Sequence, residues 1–194
     1  MGYALAQAAA RRGALVILIS GPTRLDPPQG VELVSVRSTE QMHRAVLEHS
    51  PRATAVIMAA AVADYRPVTP HTKKIKRGSE HLMLELEPTP DILADIARDK
   101  GNRVVVGFAA ETDHVAEHAR AKLASKQADL IVANDVTSEG AGFDHDTIVI
   151  KLYSRDGSEK AFPRMPKIDA ANRILDRIRE LRPVARESAT QRAR

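Results

Sequence analysis

The chain has 194 residues, 43% hydrophobic and 28% charged, which suits one α/β domain with a core of its own. It has no cysteine, which excludes disulfides, thiolate zinc sites and a cysteine nucleophile, and with 3% aromatics and no tryptophan it offers single-stranded nucleic acid no stacking platform. The net charge is +4 and the pI near 9.5, which favours anionic ligands, and no apolar run approaches the ~20 residues of a membrane span.

Met1–Arg12 reads as a helix, with Leu5, Ala8, Ala9 and Arg12 on one face and Gly13 as its stop. Leu15–Gly21, "LVILISG", is a continuous apolar run and predicts a strand covered on both faces. "VELVSV" alternates as a strand does, and Ser38 or Thr39 then caps a helix running to about Glu48. "ATAVIMAAAV" is the next buried strand. The long segment that follows, "PVTPHTKKIKRGSEHLMLELEPTP", carries two short alternating runs around "RGSE" and predicts a β-hairpin flap over about residues 68–87. "TPDILADIARDK" predicts a helix with Thr89 as cap, Pro90 at its first position and Asp91 in its first turn. "RVVVGFAAE" and "DLIVAND" are buried strands on either side of a helix over residues 112–128. "TIVIKLYSRDGSEKAFPRM" reads as a hairpin turning at Asp156-Gly157, and "KIDAANRILDRIREL" is the last helix. The final residues, "PVARESATQRAR", hold much of the basic excess and are expected to be a disordered tail over 183–194.

Strands alternate with helices at βαβ spacing. The fold class expected is therefore α/β: a Rossmann-like, mostly parallel sheet with helices on both faces and a β-hairpin flap, spanning residues 1–182. Ligands of such sheets lie beyond the carboxyl ends of the strands. The polar residues stand there, in "AAVADYRP", "GFAAET" and "ANDVTSEGAGF".

Asp64 follows a buried strand behind three alanines. It can accept from ribose hydroxyls or hold a metal attached to phosphates, or else cap a helix or pair with Arg66. "KKIKR", Lys73 to Arg77, puts four cations on the flap. On a strand Lys74 and Lys76 would share a face over the ligand edge, or the run is a charged edge that resists aggregation. Lys122 and Lys126 are four apart on a helix and could grip a polyphosphate together, although exposed lysine pairs are common. Asp91, at a helix start, suits a ribose or base better than a phosphate, and Phe108 packs on a base or fills the core. There is no P-loop and no Gly-x-Gly-x-x-Gly opening a helix; "GAGFDH" lacks the third glycine. The missing fingerprint, with no Tyr-x-x-x-Lys pair, disfavours a nicotinamide-dependent oxidoreductase. "HVAEH" matches a zinc-protease pattern but no third ligand is evident.

"AAAVADYRP", "KKIKR", "PTPDIL", "VGFAAET", "AKLASKQADLIVAND" and "GAGF", in this order, resemble the phosphopantothenate–cysteine ligase family of bacterial coenzyme A synthesis, over Met1 to about Leu181. The resemblance implies a cytoplasmic, homodimeric, Mg²⁺-dependent enzyme that uses CTP to join 4′-phosphopantothenate and cysteine through an acyl-cytidylate. In this family the domain commonly follows a flavin-dependent decarboxylase domain. By position, Lys74 matches the family's catalytic flap lysine, with Arg77 in place of the motif's last lysine. Met58, Ala59, Ala60, Asp64, Pro90, Asp91, Ile92, Leu93, Phe108, Lys122 and Lys126 match its nucleotide-binding positions. The metal would meet Asp64 through the CTP phosphates. The family also has a first strand and a Ser-Gly-Lys-Met-Gly loop, of which Met1-Gly2 match the last two residues. On that count a nucleotide-binding, dimerising fragment without turnover is the alternative expectation.

Overall fold

The computed structural model describes residues 1–71, 73–77, 81–111, 114–135 and 146–182. The flap tip, the glycine-rich loop near Gly140 and the basic tail lie outside the described residues, and so does any test of what was expected of them.

The strands that anchor the fold are those whose sequences are unbroken apolar runs. Strands β3 (Ala55–Met58), β6 (Val104–Glu111), β7 (Leu130–Asp135), β8 (Thr147–Ser154) and β9 (Glu159–Pro166) form one sheet in the order β3-β6-β7-β8-β9. The first three run parallel, and β8 and β9 add antiparallel. Val105, Val106, Leu130, Ile131 and Val132 have no exposed surface at all, as expected of strands packed on both faces. Alternate side chains divide them between two cores. Val104, Val106, Leu130 and Val132 face helices α1 (Gly2–Arg11) and α5 (Lys167–Leu181). Val105, Ile131 and Ala133 face α2 (Thr39–His49), α3 (Ile92–Arg98) and α4 (Val115–Lys126). The expected α/β sandwich, helices on both faces of a mostly parallel sheet, is what forms. Gly107 lies at the tightest point. A Cβ there would stand 2.6 Å from Leu93 Cδ2 and 3.0 Å from Ile131 Cδ1, so bare backbone lets α3 approach β6.

Local signals explain the element ends. Gly13 (φ +82°) closes α1, Ser38 caps α2 through the Gln41 N–H, and Gly157 (φ +82°) turns the β8–β9 hairpin.

Strands β1 (Val16–Ser20) and β2 (Val31–Ser35) depart from expectation. They pair with each other in parallel as a separate two-stranded sheet. β1 is not covered on both faces: Leu15, just before it, is fully exposed, Ile17 is exposed, and the rest of the strand is half-buried. β3, read from sequence as buried through the alanines, is four residues long and only half-buried. The reason is pairing. Among the described residues β1 bonds only to β2 and β3 only to β6, so each apolar strand keeps one edge without a strand partner there. Ile19 and Val34 nevertheless pack on the same core as Val56 and Met58.

The flap is narrower than expected. Its ladder is confined to β4 (Tyr65–Pro67) and β5 (Leu86–Pro88), antiparallel, and Lys73–Arg77 lie outside any strand. The prediction that strand geometry sets Lys74 and Lys76 on one face therefore does not hold. Proline at 67 and 70 with lysine-rich sequence between the runs removes donors and favours solvation over a longer ladder.

Candidate functional site

Because β1, β2, β3, β6 and β7 all run within parallel pairings, their carboxyl ends deliver loops rather than hairpins. Gly21 and Pro22 after β1, Val36 to Thr39 after β2, and Ala60 to Ala63 after β3 line a cavity of about 240 Å³, with Met42 of α2 also in its wall. The alanines leave the space open, since no side chain beyond Cβ enters from that wall except Val62. The opposite rim is fixed by the start of α2. Ser38 Oγ accepts the Gln41 N–H at 3.1 Å, and Gln41 Oε1 accepts the Arg37 N–H at 2.7 Å.

The loop after β3 is tied to the segment leading into α3. Thr89 Oγ1 donates to the Ala63 carbonyl at 2.6 Å, and the Thr89 N–H donates to the Asp64 carbonyl at 2.9 Å. These bonds turn Thr89 toward the β3 loop, and α3 is capped by Asp91 instead, whose Oδ1 accepts the Ala94 N–H at 3.0 Å. Pro90 consequently precedes the helix rather than opening it.

Lys122 and Lys126, on one face of α4, both reach this region. Lys126 Nζ forms an ion pair with Asp91 Oδ2, and Lys122 Nζ donates to the Phe108 carbonyl at 2.8 Å. Burial pushes the Asp91 carboxyl up, but the Lys126 hydrogen bond, the Ala94 N–H and the charges of Lys126 and Lys122 outweigh it and hold the group below its ordinary value. Of the sequence candidates, Lys126 is thus bonded to Asp91 and Lys122 to the Phe108 main chain, two contacts between separately chosen motifs.

The other candidates are placed as follows. Met58 packs into the α2/α3/α4 core, Ala59 lies against Gly2 on the α1/α5 side, and Ala60 lines the cavity. Ile92 and Leu93 are buried core side chains, so only their main chain remains for a ligand. The Phe108 ring packs partly into the α1/α5 core. Asp64 is exposed, and Arg66 is engaged elsewhere, with Glu87 across the β4–β5 ladder at 2.7 Å and with Glu40 at 3.4 Å. Lys74 is exposed. His114 and His118 are neighbours, ring centroids 6.2 Å apart, but among the described residues no group of three or more metal-ligating side chains forms.

One feature escaped sequence reasoning, and a second was only partly read. The cavity rim at Gly21, Pro22 and Arg37–Thr39 follows β1 and β2, and the carboxyl-edge rule applied to those strands would have found it. Asn134, within the "ANDVTSEGAGF" edge named from sequence, pairs with Ala110 one residue before the end of β7, and its Oδ1 is buried without a hydrogen-bond partner among the described residues, which the sequence could not show.

The fold and this edge define a class, a Rossmann-like α/β domain with its cleft beyond the carboxyl ends of parallel strands. Residues 1–181 match the DNA/pantothenate metabolism flavoprotein C-terminal domain, and the chain belongs to that family. It is 46% identical over 182 residues to the coenzyme A biosynthesis bifunctional protein CoaBC of Bacillus subtilis, covering 93% of this chain and 45% of that protein. It is 45% identical over 189 residues to CoaBC of Mycobacterium tuberculosis, covering 91% of this chain and 45% of that one. The chain thus spans about half the length of these curated relatives. Among solved structures, the C-terminal domain of a CoaBC superposes with a TM-score of 0.78 at 39% identity, covering 92% of this chain and 80% of that chain. A Cab2 mutant in complex with phosphopantothenate-cysteine shares the fold, with a TM-score of 0.62 at 14% identity over 79% of this chain and 54% of that one. Among the described residues no helix is long and apolar enough to cross a membrane.

Proposed function

We propose that the chain is a phosphopantothenate–cysteine ligase domain that uses CTP. The observation that supports this reading best is the bonding at the carboxyl edge. The loop after β3, the Thr89–Asp91 segment, the Phe108 carbonyl and the two lysines of α4 are linked by direct hydrogen bonds beside an open cavity, in a chain of this family.

The chemistry asks for positioning and charge neutralisation. The carboxylate of 4′-phosphopantothenate attacks the α-phosphate of CTP and pyrophosphate leaves; the amine of cysteine then attacks the acyl carbon and CMP leaves. Lys122 and Lys126 would hold the triphosphate, the α3 start and Ala60 the nucleoside, and Lys74 would meet charge as it develops. The exposed Asp64 carboxylate, a single hard oxygen donor, fits a Mg²⁺ that the nucleotide carries, since magnesium takes one or two carboxylates and completes its shell with phosphate and water. When bound, the ion would neutralise phosphate charge. Pyrophosphate release that requires both CTP and phosphopantothenate, followed by CMP release on adding cysteine, is the expected result. Absence of both CTP binding and pyrophosphate release would exclude the activity in this chain, and ATP replacing CTP would correct the nucleotide.

A homodimer is part of the proposal. The arm around β4 and β5 exposes Tyr65, Leu82, Met83, Leu84 and Leu86, each more than half accessible, an apolar surface that a second copy would cover. Sedimentation at micromolar concentration is expected to give twice the chain mass. A monomer throughout that range would remove this element.

A second reading is favoured by the break in the sheet between β1 and β3. In it the chain binds nucleotide and dimerises without turnover, because among the described residues no strand joins β1 to β3 at the edge beside the cavity. Fusing to Met1 the residues that precede the matched region in the Bacillus subtilis relative would then restore pyrophosphate release. An inactive fusion would overturn that explanation.

A further inference from the structure

The Asp91–Lys126 pair is an unusual feature for a site meant to hold polyphosphate, because it places a carboxylate on a cation that phosphate needs. Its details make sense as an exchange. The two oxygens of Asp91 have separate tasks: Oδ1 accepts the Ala94 N–H and caps α3, while Oδ2 meets Lys126. Lys122 is occupied by the Phe108 carbonyl, a neutral partner, so of two lysine charges on this face of α4 one is cancelled and one is left. Both members of the pair are open to water, with side chains 32% and 43% exposed. An ion pair this exposed contributes little to stability and breaks easily. A phosphate chain offers several charged oxygens against one carboxylate, and the lysine's four methylenes let its ammonium swing without moving α4.

We propose that Asp91 is a positioning residue: it is the resting partner of Lys126, and Lys126 exchanges it for the phosphates of an incoming nucleotide, so that Asp91 sets how tightly polyphosphate is held. The proposal rests on the nucleotide reading above. It separates two roles that Asp91 combines, the helix cap and the charge. Asparagine caps a helix as well as aspartate does but carries no charge, so Asp91→Asn removes only the competing partner.

The test is calorimetric titration of the whole chain with inorganic tripolyphosphate at low ionic strength, for the wild type, Asp91→Asn, Lys126→Met and the double variant. Asp91→Asn is expected to bind roughly 3- to 10-fold tighter than the wild type, because repulsion from the carboxylate is gone and Lys126 is released. Lys126→Met is expected to bind weaker than the wild type. The double variant should resemble Lys126→Met more closely than additivity allows, since Asp91 acts through Lys126. A purely structural role for Asp91 would leave the dissociation constant of Asp91→Asn unchanged or weaken it, and that result overturns the exchange alone. If the wild type and Asp91→Asn both fail to bind tripolyphosphate, the exchange and the polyphosphate part of the nucleotide reading fall together. Thermal midpoints of the wild type and Asp91→Asn that agree within about 3 °C confirm that the cap survives.

Discussion

If the chain is the proposed ligase, replacing Lys74 with alanine is expected to lower the turnover of amide formation by roughly 100- to 1,000-fold while the KM for nucleotide stays within about threefold. The expectation follows from where the residue stands. Lys74 is exposed on the arm that β4 and β5 carry, and among the described residues no carboxylate pairs with it. The base of that arm is held independently, by the Arg66–Glu87 pair across the ladder and by the Val68 N–H donating to the Glu85 carbonyl at 3.0 Å. An exposed side chain remote from those contacts changes stability by no more than about 0.5 kcal/mol when truncated, so a loss of rate would not be a loss of fold. On the proposed ligase reading, Lys122 and Lys126 on α4 would take ground-state phosphate binding, which leaves to Lys74 the charge that appears only as the α-phosphate is attacked. That division predicts the split between kcat and KM. Lys74→Arg should recover part of the rate, since the charge remains but the guanidinium is wider and planar. A turnover within threefold of wild type in the alanine variant would show that Lys74 is not the group that meets the developing charge, and an effect confined to KM would assign it to binding.

How much of this was legible beforehand differs from element to element, for physical reasons. β6 and β7 were plain because "VVV" and "LIV" are apolar on both faces and lead into polar residues, the pattern expected of a central parallel strand. Asp156-Gly157 marked its turn because the four-residue connection between β8 and β9 needs one residue at positive φ, which Gly157 supplies at +82°. β1 has the same apolar signature as β6, yet it is half exposed. Burial depends on which strand lies alongside, a long-range pairing that composition does not encode. Thr89 looked like the cap of α3 because its local spacing is good, but its side chain turns to the Ala63 carbonyl, 26 residues away, and the helix starts later, capped by Asp91. Lys122 and Lys126 were visible as a pair by helical period. Their partners were not, because Asp91 and the Phe108 carbonyl come from α3 and β6. The cavity rim at Arg37 and Ser38 was hidden for a simpler reason, that its residues read locally as an ordinary helix start.

The largest expected loss of stability comes from a residue with no part in the site. Arg177→Met is expected to destabilise the chain by about 2–4 kcal/mol and lower its thermal midpoint by roughly 5–10 °C at pH 7. Arg177 is 8% exposed, on the sheet-facing side of α5. Its Nε donates to Ser154 Oγ at 2.9 Å, its Nη1 to Glu180 at 2.8 Å, and its Nη2 to Ser158 Oγ at 2.7 Å and to Asp156. One guanidinium thus fastens the second half of α5 to the β8–β9 turn. Methionine fills most of the volume but leaves Ser154, itself 4% exposed, without that donor. The two carboxylates are about half exposed and rehydrate, which keeps the loss below that of a fully buried pair. The same network makes a pH prediction. Hydrogen bonds from the Ser158 side chain and N–H, then Arg177, hold the Asp156 carboxyl well below the usual carboxylate range, and Arg177 with Lys160 lowers that of Glu180. Both groups bind protons less readily folded than unfolded. Their contribution is therefore complete above the unfolded values near 4 and disappears as pH falls through the folded ones. Calorimetric scans from pH 6 down to pH 3 should show the wild-type midpoint falling more steeply than that of Arg177→Met, so that the two curves converge in acid. Parallel curves, or a midpoint difference below about 2 °C at pH 7, would show that the guanidinium does not hold α5 to the hairpin.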